Sequence, residues 1–254
     1  MNKKMTIFDT KAAVLINKSR EAFMRKLLPK IIKNQSIHTA IDAGSGLGYF
    51  SNMLITLGLY VSAFDGRKEN IKEAIRRYPN VRFSHHNIEN PNTTIIGKHD
   101  MVFCAGLLYH LENPLLALRN LVGICKKVLI VETVVKPGNT LSAELVDENY
   151  DRNQGINYLA LIPTEPFLIK CLYLAGFRYV YKTDEMPHYK DYHGSFFKRK
   201  SRTVLVASKR KLLISGLKVK KEPPSKSFLW DRFRFRDAVS TKSIFRLSYK
   251  VQSK

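Results

Sequence analysis

The 254-residue sequence has few cysteines, and it has no long apolar run that is free of charged side chains. Its three cysteines are odd in number and widely spaced, so they offer neither a disulfide framework nor a C-x-x-C metal pair, and no metal site is predicted. The most apolar stretch, residues 101–135, is interrupted by charged and histidine side chains and cannot cross a bilayer as one clean span. We expect no transmembrane segment, and we expect the cysteines to be buried apolar side chains.

We also expect no secretory signal in the first residues. Asp9 and Lys11 interrupt the apolar core that such a signal would need, and the uninterrupted run at residues 12–16 is too short. The sequence therefore predicts a cytoplasmic protein, and it leaves open an association with the inner face of a membrane.

Acidic residues are scarce, since 21 Asp and Glu stand against 43 Lys and Arg and give a formal net charge of +22. The excess lies at the two ends, with +7 in residues 1–40 and +11 in residues 209–254, so residues 41–208 carry only +4. Three interpretations of the basic tail follow: RNA binding, contact with an anionic membrane surface, or a solvated extension.

Three segments are predicted from the charge distribution and the hydrophobic periodicity. Residues 1–36 form an amino-terminal basic helix that could lie over the domain as a lid, residues 37–208 form an α/β domain, and residues 209–254 form a basic aromatic tail. Aromatic and basic side chains alternate in residues 228–236, which suits base stacking or insertion at a membrane interface.

Strand-like and helix-like segments alternate through the middle of the chain, which implies parallel strands joined by helical crossovers. A helix capped by Thr164 and two further strands at residues 177–183 and 202–208 would close the sheet with an antiparallel pair. We predict an α/β Rossmann-like three-layer sandwich with a seven-stranded, mostly parallel sheet and an antiparallel last strand. The earlier predicted strands and helices are, in chain order, 39–42, 49–57, 60–64, 67–78, 81–84, 100–104, 114–124 and 128–135.

A glycine-rich turn, Asp42-Ala43-Gly44-Ser45-Gly46-Leu47-Gly48-Tyr49, separates the first predicted strand of this domain from its helix. Glycine lets the backbone turn tightly and approach a ligand without interference from a Cβ atom. The lysine and hydroxyl residue of a phosphate-binding P-loop are missing, and the third glycine comes one residue too early for a dinucleotide fingerprint. An NAD-linked oxidoreductase is therefore a weaker alternative.

This combination resembles the class I S-adenosylmethionine-dependent methyltransferases over residues 37–208. The resemblance implies that the turn lines the amino-acid and ribose side of S-adenosyl-L-methionine, that Asp65 accepts the ribose hydroxyl hydrogens, and that Asn87 contacts the adenine amino group. The full set of donor-binding residues expected on this basis is Asp42, Gly44, Ser45, Gly46, Gly48, Tyr49, Asp65, Gly66, Asn87, Ile88, Cys104 and Ala105.

Residues 106–115, together with Val131-Glu132-Thr133 and Ile162-Pro163-Thr164, are similar to a narrower group, the tRNA wobble-uridine carboxymethyltransferases. The similarity implies that Tyr109 could hold the extra carboxylate of a carboxylated donor. The nearest alternative within the enzyme class is therefore a tRNA-modifying enzyme that transfers a methyl or a carboxymethyl group.

Methyl transfer is an in-line displacement that needs alignment, and a base where the acceptor is a hydroxyl. His110 is the first candidate for that base, with Tyr109 and Glu132 as second choices; His110 could instead fix its loop or cap the next helix. Residues between the last two strands either wall an acceptor pocket or pack under a loop: Tyr189, Tyr192, His193, Phe196 and Phe197.

The sequence thus predicts a methyltransferase acting on a small-molecule or glycan acceptor, with a hydroxyl as the target group. Two alternatives remain, RNA modification and a non-catalytic binding protein that keeps the fold. The oligomeric state has no sequence signal.

Overall fold

A computed structural model describes residues 6–90, 96–193 and 201–225 of the protein. The elements in these ranges belong to one compact unit, Met1–Pro223. The predicted aromatic run at residues 228–236 lies outside the described residues, as do Phe196 and Phe197. Within the described ranges, no helix is both long and apolar enough to cross a membrane.

The chain begins with helix α1 (Lys11–Gln35) and then alternates between strands and helices. The first half consists of β1 (Thr39–Ala43), α2 (Tyr49–Thr56), β2 (Tyr60–Asp65), α3 (Lys68–Arg77), β3 (Arg82–His85), β4 (His99–Ala105), α4 (Pro114–Ile124) and β5 (Cys125–Val134). The second half consists of β6 (Ala143–Asp147), β7 (Leu159–Pro163), α5 (Glu165–Leu174), β8 (Tyr179–Thr183), β9 (Arg202–Ser208) and β10 (Leu217–Val219).

Eight strands form one sheet in the order β10-β8-β9-β5-β4-β1-β2-β3. The five strands from β5 to β3 pair in parallel, whereas β9 is antiparallel to both of its neighbours. The Rossmann-like α/β prediction with an antiparallel last long strand is therefore confirmed. Because β1 has β2 on one side and β4 on the other, the strand order reverses here, which is where such sheets bind ligands.

The sheet has one strand more than the seven predicted. β10 follows a turn at Gly216 and pairs antiparallel with β8, with Leu217 opposite Thr183. Three residues are too few to show a period-2 pattern, so this strand could not be predicted from the hydrophobic periodicity. Residues 209–223, assigned above to the tail, thus lie in the compact unit.

Helices cover both faces of the sheet. Consecutive strand residues point to opposite faces, so Val102 and Cys104 enter one core with α4 and α5, while Met101 and Phe103 enter the other with α1 and α2. Helix α1 buries an apolar stripe in the second core, including Met24, Leu28 and Ile31. The predicted amino-terminal helix is therefore a packed layer of the domain, not a lid over it.

A two-stranded hairpin, β6 paired antiparallel with β7, was absent from the sequence prediction. Glu144 and Asp147 are exposed or half-exposed in β6, so the strand lacks a clear apolar alternation. The hairpin is fastened to the domain where Leu161 N–H donates to the carbonyl of Leu111 at 2.9 Å. We call its connection, residues 148–158, the hairpin loop, because it reaches the carboxyl ends of the sheet strands.

Candidate active site

The glycine turn after β1 is held against the end of β2. The N–H groups of Gly44 and Ser45 both donate to the Phe64 carbonyl, at 3.0 and 2.9 Å. Gly48 has a φ of 86°, and a Cβ on it would lie 2.6 Å from the Phe83 ring, so only glycine fits there. The predicted strand–turn–helix context of this motif is confirmed.

Asp65 ends β2 and faces the turn from the side. Its carboxylate accepts hydrogen bonds from the N–H groups of Gly46 (2.9 Å) and Arg67 (2.9 Å) and from Asn70 Nδ2 (3.2 Å). Burial raises the pKa of Asp65, and these donors oppose that shift. The carboxylate is thereby fixed at the cleft with acceptor capacity left for hydroxyl groups.

A first chamber lies between the ends of β2 and β3 and the hairpin loop, with about 600 Å³ of space that is partly open to solvent. Six of the expected donor-binding residues line it: Gly44, Gly46, Asp65, Gly66, Asn87 and Ile88. The opposite wall is the hairpin loop, and a Cβ on Gly66 would lie 2.5 Å from Ile156 Cδ1. The chamber has the composition of a nucleoside site, with a carboxylate, an amide and apolar walls.

A second chamber of about 1600 Å³, also partly open to solvent, adjoins the first. Ser45, Tyr49, Ala105 and Tyr109 line it, and Gly44, Gly46 and His110 line both chambers. Tyr189 and the start of α1 add further walls. The two chambers therefore meet at the glycine turn.

The surroundings of the buried Ser45 hydroxyl indicate whether the turn fits a polar ligand. Ser45 Oγ has no hydrogen-bond partner among the described residues although it is shielded from solvent. A buried hydroxyl without a partner is costly, and an amino-acid group bound at the turn would satisfy it. The residues present thus fit a ligand with a nucleoside in the first chamber and an amino-acid end in the second.

Four predicted site residues line neither chamber: Asp42, Gly48, Cys104 and Glu132. Asp42 accepts from Ser51 Oγ at 2.6 Å, and burial raises its pKa to about 7. Burial also raises the pKa of the Cys104 thiol, which lies in the sheet core. The structure thus places these side chains behind the turn or in the core, and direct contacts from them to a donor stay predictions.

His110 sits in a short helical turn after β4 and is bonded to a residue that the sequence did not indicate. Its Nδ1 is in hydrogen-bond contact with Glu148 Oε1, and Glu148 Oε2 accepts from Gly155 N–H at 2.6 Å. Burial would raise the pKa of Glu148, but its hydrogen bonds with His110 and with the Gly155 N–H hold that pKa below its usual range. No local pattern marks Glu148, because the hairpin carries it to His110 from 38 residues away.

Glu132 is fully buried beneath the second chamber and binds two arginines. Arg20 Nε lies 3.3 Å from its Oε2, Arg202 Nη1 donates to its Oε1 at 3.0 Å, and Tyr192 also donates to Oε1. Burial would raise the pKa of Glu132, but the two guanidinium groups hold it below its usual range. Glu132 is therefore an ionised anchor, which makes it a poor candidate for taking a proton from an acceptor.

Tyr109 lies between Arg202 of this group and His110. Its hydroxyl accepts from Arg202 Nη2 at 3.2 Å, and its ring lies 4.0 Å from the His110 ring, centroid to centroid. Of the other aromatic candidates, Tyr192 is buried against Glu132, and His193 contacts the Pro187 carbonyl at 3.0 Å. Within the described ranges no group of three or more His, Cys, Asp or Glu residues could hold a metal ion.

Residues 41–129 match a family model described as a methyltransferase domain. Several solved structures share the fold. The N-terminal domain of EvdMO1 with SAH bound has a TM-score of 0.64 at 18% identity, over 79% of this chain and 85% of that one.

Two further structures show the same fold. Magnesium protoporphyrin IX methyltransferase (ChlM) from Synechocystis PCC 6803 with bound SAM has a TM-score of 0.54 at 17% identity, over 83% of this chain and 87% of that one. CalS10, an amino pentose methyltransferase from Micromonospora echinaspora, has a TM-score of 0.57 at 14% identity, over 83% and 99%. No curated protein sequence matches the chain.

The domain match supports a methyltransferase that uses S-adenosyl-L-methionine, and the Rossmann-like sheet is the fold shared with solved methyltransferases. The narrower similarity of residues 106–115 to tRNA wobble-uridine carboxymethyltransferases stays a prediction.

Proposed function

We propose that the protein transfers a methyl group to a hydroxyl of a small-molecule or glycan acceptor bound in the second chamber, with His110 as the base. The observation that carries this proposal is the His110–Glu148 pair at the junction of the two chambers. The neighbours that methylate an amino pentose and a porphyrin are consistent with a small acceptor.

The donor side is assigned to residues of the first chamber and the turn. S-adenosyl-L-methionine, when bound, supplies a methyl group on a positively charged sulfur. Asp65 would accept the two ribose hydroxyls, Asn87 the adenine amino group, and Ser45 Oγ would bond the amino-acid end. These contacts use the fixed carboxylate and the unpartnered hydroxyl described above.

On the acceptor side, His110 has one ring nitrogen available. Because Nδ1 is bonded to Glu148, Nε2 is the ring nitrogen that would accept the proton of an acceptor hydroxyl held beside it. The ionised Glu148 carboxylate stabilises the resulting imidazolium and fixes the ring orientation. The walls of the second chamber reduce the water around the reacting groups.

A purely structural role for His110 makes a different prediction. If the pair only ties the hairpin loop to the turn after β4, replacing His110 should lower the thermal stability of the protein and leave turnover per folded molecule intact. The test is methyl transfer from isotope-labelled S-adenosylmethionine to a panel of hydroxylated small molecules and sugars, with binding of S-adenosylhomocysteine measured by calorimetry on the same samples.

Two alternatives give distinct results in this test. A non-catalytic binding protein would bind S-adenosylhomocysteine or another ligand without turning over any acceptor. An RNA-modifying enzyme would label tRNA and none of the small molecules. Absence of any binding of S-adenosylhomocysteine would contradict the enzyme proposal itself.

A further inference from the structure

Two arginines from distant parts of the chain meet on one wall of the second chamber. Arg20 comes from α1 and Arg202 from β9, and both line the chamber. Their side chains are only 8% and 12% exposed, and both are bound to the single carboxylate of Glu132 beneath them. Both arginines are therefore held in place by the fold, and neither is a mobile surface side chain.

The side of this wall that faces the chamber carries guanidinium groups. Their counter-charges are the ionised Glu132 and Asp191, which lies 3.8 Å from Arg202 Nε, and neither carboxylate lines the chamber. Asp9, a carboxylate that does line the chamber, is bonded to Arg77 at 2.9 Å. The wall therefore offers guanidinium donors, with no unpaired carboxylate among the described lining residues, to whatever the chamber binds.

The guanidinium groups also have N–H donors that are not used in hydrogen bonds among the described residues. Arg20 donates from Nε to Tyr192 and from Nη1 to Asn17, both at 3.1 Å, and no partner of its Nη2 is found in the described part of the chain. Arg202 uses Nη1 for Glu132 and one Nη2 hydrogen for Tyr109. Each arginine has five N–H groups, so several remain for a ligand.

The backbone leaves room beside these donors. Gly106, directly after β4, has a φ of 77°, and a Cβ on it would lie 3.6 Å from Arg20 Nη1 and 3.9 Å from the Tyr109 hydroxyl. The two arginine side chains and Tyr109 thus border the carboxyl end of β4, beside the second chamber. His110, the proposed base, is the next residue after Tyr109.

We propose that Arg20 and Arg202, assisted by Tyr109, form a subsite for an anionic group of the acceptor, a carboxylate or a phosphate. The acceptor would then be an acidic hydroxy compound, for example a sugar acid or a sugar phosphate, held with its hydroxyl at His110. This inference rests on the proposed function and names its substrate class. Two buried guanidinium groups are a poor device for stability alone, because their desolvation is costly and the ion pairs with Glu132 and Asp191 use only some of their N–H groups.

The first experiment titrates the protein, saturated with S-adenosylhomocysteine, with inorganic phosphate and with acetate by calorimetry. We expect saturable binding of one anion per chain. Arg202→Met and Arg20→Met should weaken it by tenfold or more, whereas Arg178→Met, which changes an exposed arginine that lines neither chamber, should leave it unchanged. Arg202→Lys retains the charge and loses the fork, so we expect an intermediate loss and a folded protein even if the methionine variants unfold.

A second arm separates the acceptor from the donor as the source of the anion, because the donor carries a carboxylate of its own. The wild type and the variants are titrated with S-adenosylhomocysteine and with 5′-methylthioadenosine, which lacks the amino-acid end. If the arginines serve the acceptor, the affinity ratio of the two nucleosides stays within about threefold in Arg202→Lys and Arg178→Met. A ratio that collapses in Arg202→Lys and not in Arg178→Met would assign the arginines to the donor and overturn the proposal.

The substrate panel supplies the third arm. Its acidic members should be accepted and its neutral ones rejected, and kcat/KM for an acidic acceptor should fall in Arg202→Lys. Turnover of a neutral acceptor with kcat/KM unchanged in Arg202→Lys, or no anion binding by the wild type that binds S-adenosylhomocysteine, would contradict the subsite. Failure to bind S-adenosylhomocysteine at all would instead contradict the proposed function, so the two failures are distinguishable.

Discussion

The two chambers of the cleft are built in different ways. The first is formed mainly by the turns that follow the parallel strands β1 to β4, with the hairpin loop as its far wall. The second combines the start of α1, the turn after β4, the connection before β9 and β9 itself, which are far apart in sequence. The first chamber thus depends mostly on short motifs at strand ends, whereas the second needs side chains that the whole fold brings together.

The largest difference between the two chambers should appear when the proposed base is removed from the second one. His110→Ala should lower kcat by about 10²- to 10⁴-fold, because the attacking hydroxyl loses its proton acceptor. The affinity for S-adenosylhomocysteine should stay within about twofold of the wild type in calorimetry. Undiminished kcat in a folded variant would rule out the base role.

The matching change in the first chamber is Asp65→Ala. It removes a buried carboxylate that would bond the ribose, and a charged hydrogen bond contributes about 1.5–3 kcal/mol, so the loss of even one such bond should weaken binding of S-adenosylhomocysteine by at least about 10- to 100-fold. Calorimetry gives the affinity, and Glu69→Ala, which changes a carboxylate in the first turn of α3, is the control. Equal affinities in both variants would remove Asp65 from the donor site.

Asp42 lies behind the turn, and its effect should appear in stability. Its pKa is raised to about 7 in the folded protein, so the native state binds the proton more tightly than the unfolded chain does. The free energy of unfolding should therefore fall as the pH rises from about 4 to 7, and Asp42→Asn should abolish that loss, which is about 1–4 kcal/mol.

Denaturant titrations of the wild type and Asp42→Asn at pH 4.5 and pH 8 check this prediction. The variant should gain stability relative to the wild type at pH 8 and gain little at pH 4.5. A difference that is independent of pH would show that Asp42 does not titrate in this range. A loss of affinity for S-adenosylhomocysteine would support the expected donor contact.

Glu148→Gln keeps the shape of the side chain and removes its charge. We expect kcat to fall about tenfold, less than in His110→Ala, because the ring loses its orienting and stabilising partner while it keeps a hydrogen bond. Because the two residues act as a unit, the double variant should be no slower than His110→Ala alone. Glu148→Asp should recover part of the activity, and full additivity of the two changes would separate the residues.

The smallest expected effect concerns the basic residues at the carboxyl end of the sequence. Removing residues 226–254 should change the affinity for S-adenosylhomocysteine by less than twofold, because those residues follow the compact unit that holds the cleft. Binding to tRNA and to anionic vesicles, each measured over a salt series, should weaken for whichever partner the basic tail serves. A tail without a partner would leave both salt series unchanged.

The local parts of this molecule were predictable from the sequence. Helix α4 begins at Pro114 behind the capping residue Asn113, whose side chain accepts from Leu116 N–H, and α5 begins behind the predicted cap Thr164. The glycine turn was likewise predictable, because its conformation depends on residue types within a few positions.

What the sequence could not predict depends on contacts between distant segments. Glu148 reaches His110 only because β6 and β7 form a hairpin whose strands are half-exposed and lack a clear pattern. Arg20 and Arg202 belong to no sequence motif. Glu132 was a candidate base on the sequence, although its burial between the two arginines makes it an anchor for them. Pairings of this kind are set by the packed sheet, not by residue types or spacing.

The hairpin loop touches both halves of the cleft at once. Arg67 donates to the Gly155 carbonyl at 2.7 Å, Ile156 packs over Gly66, and the same loop supplies Glu148 to His110. A nucleoside in the first chamber would press on the segment that orients the base, so the two binding events share a free-energy coupling. We therefore expect steady-state kinetics of an ordered type, in which the donor binds before the acceptor and its product leaves last.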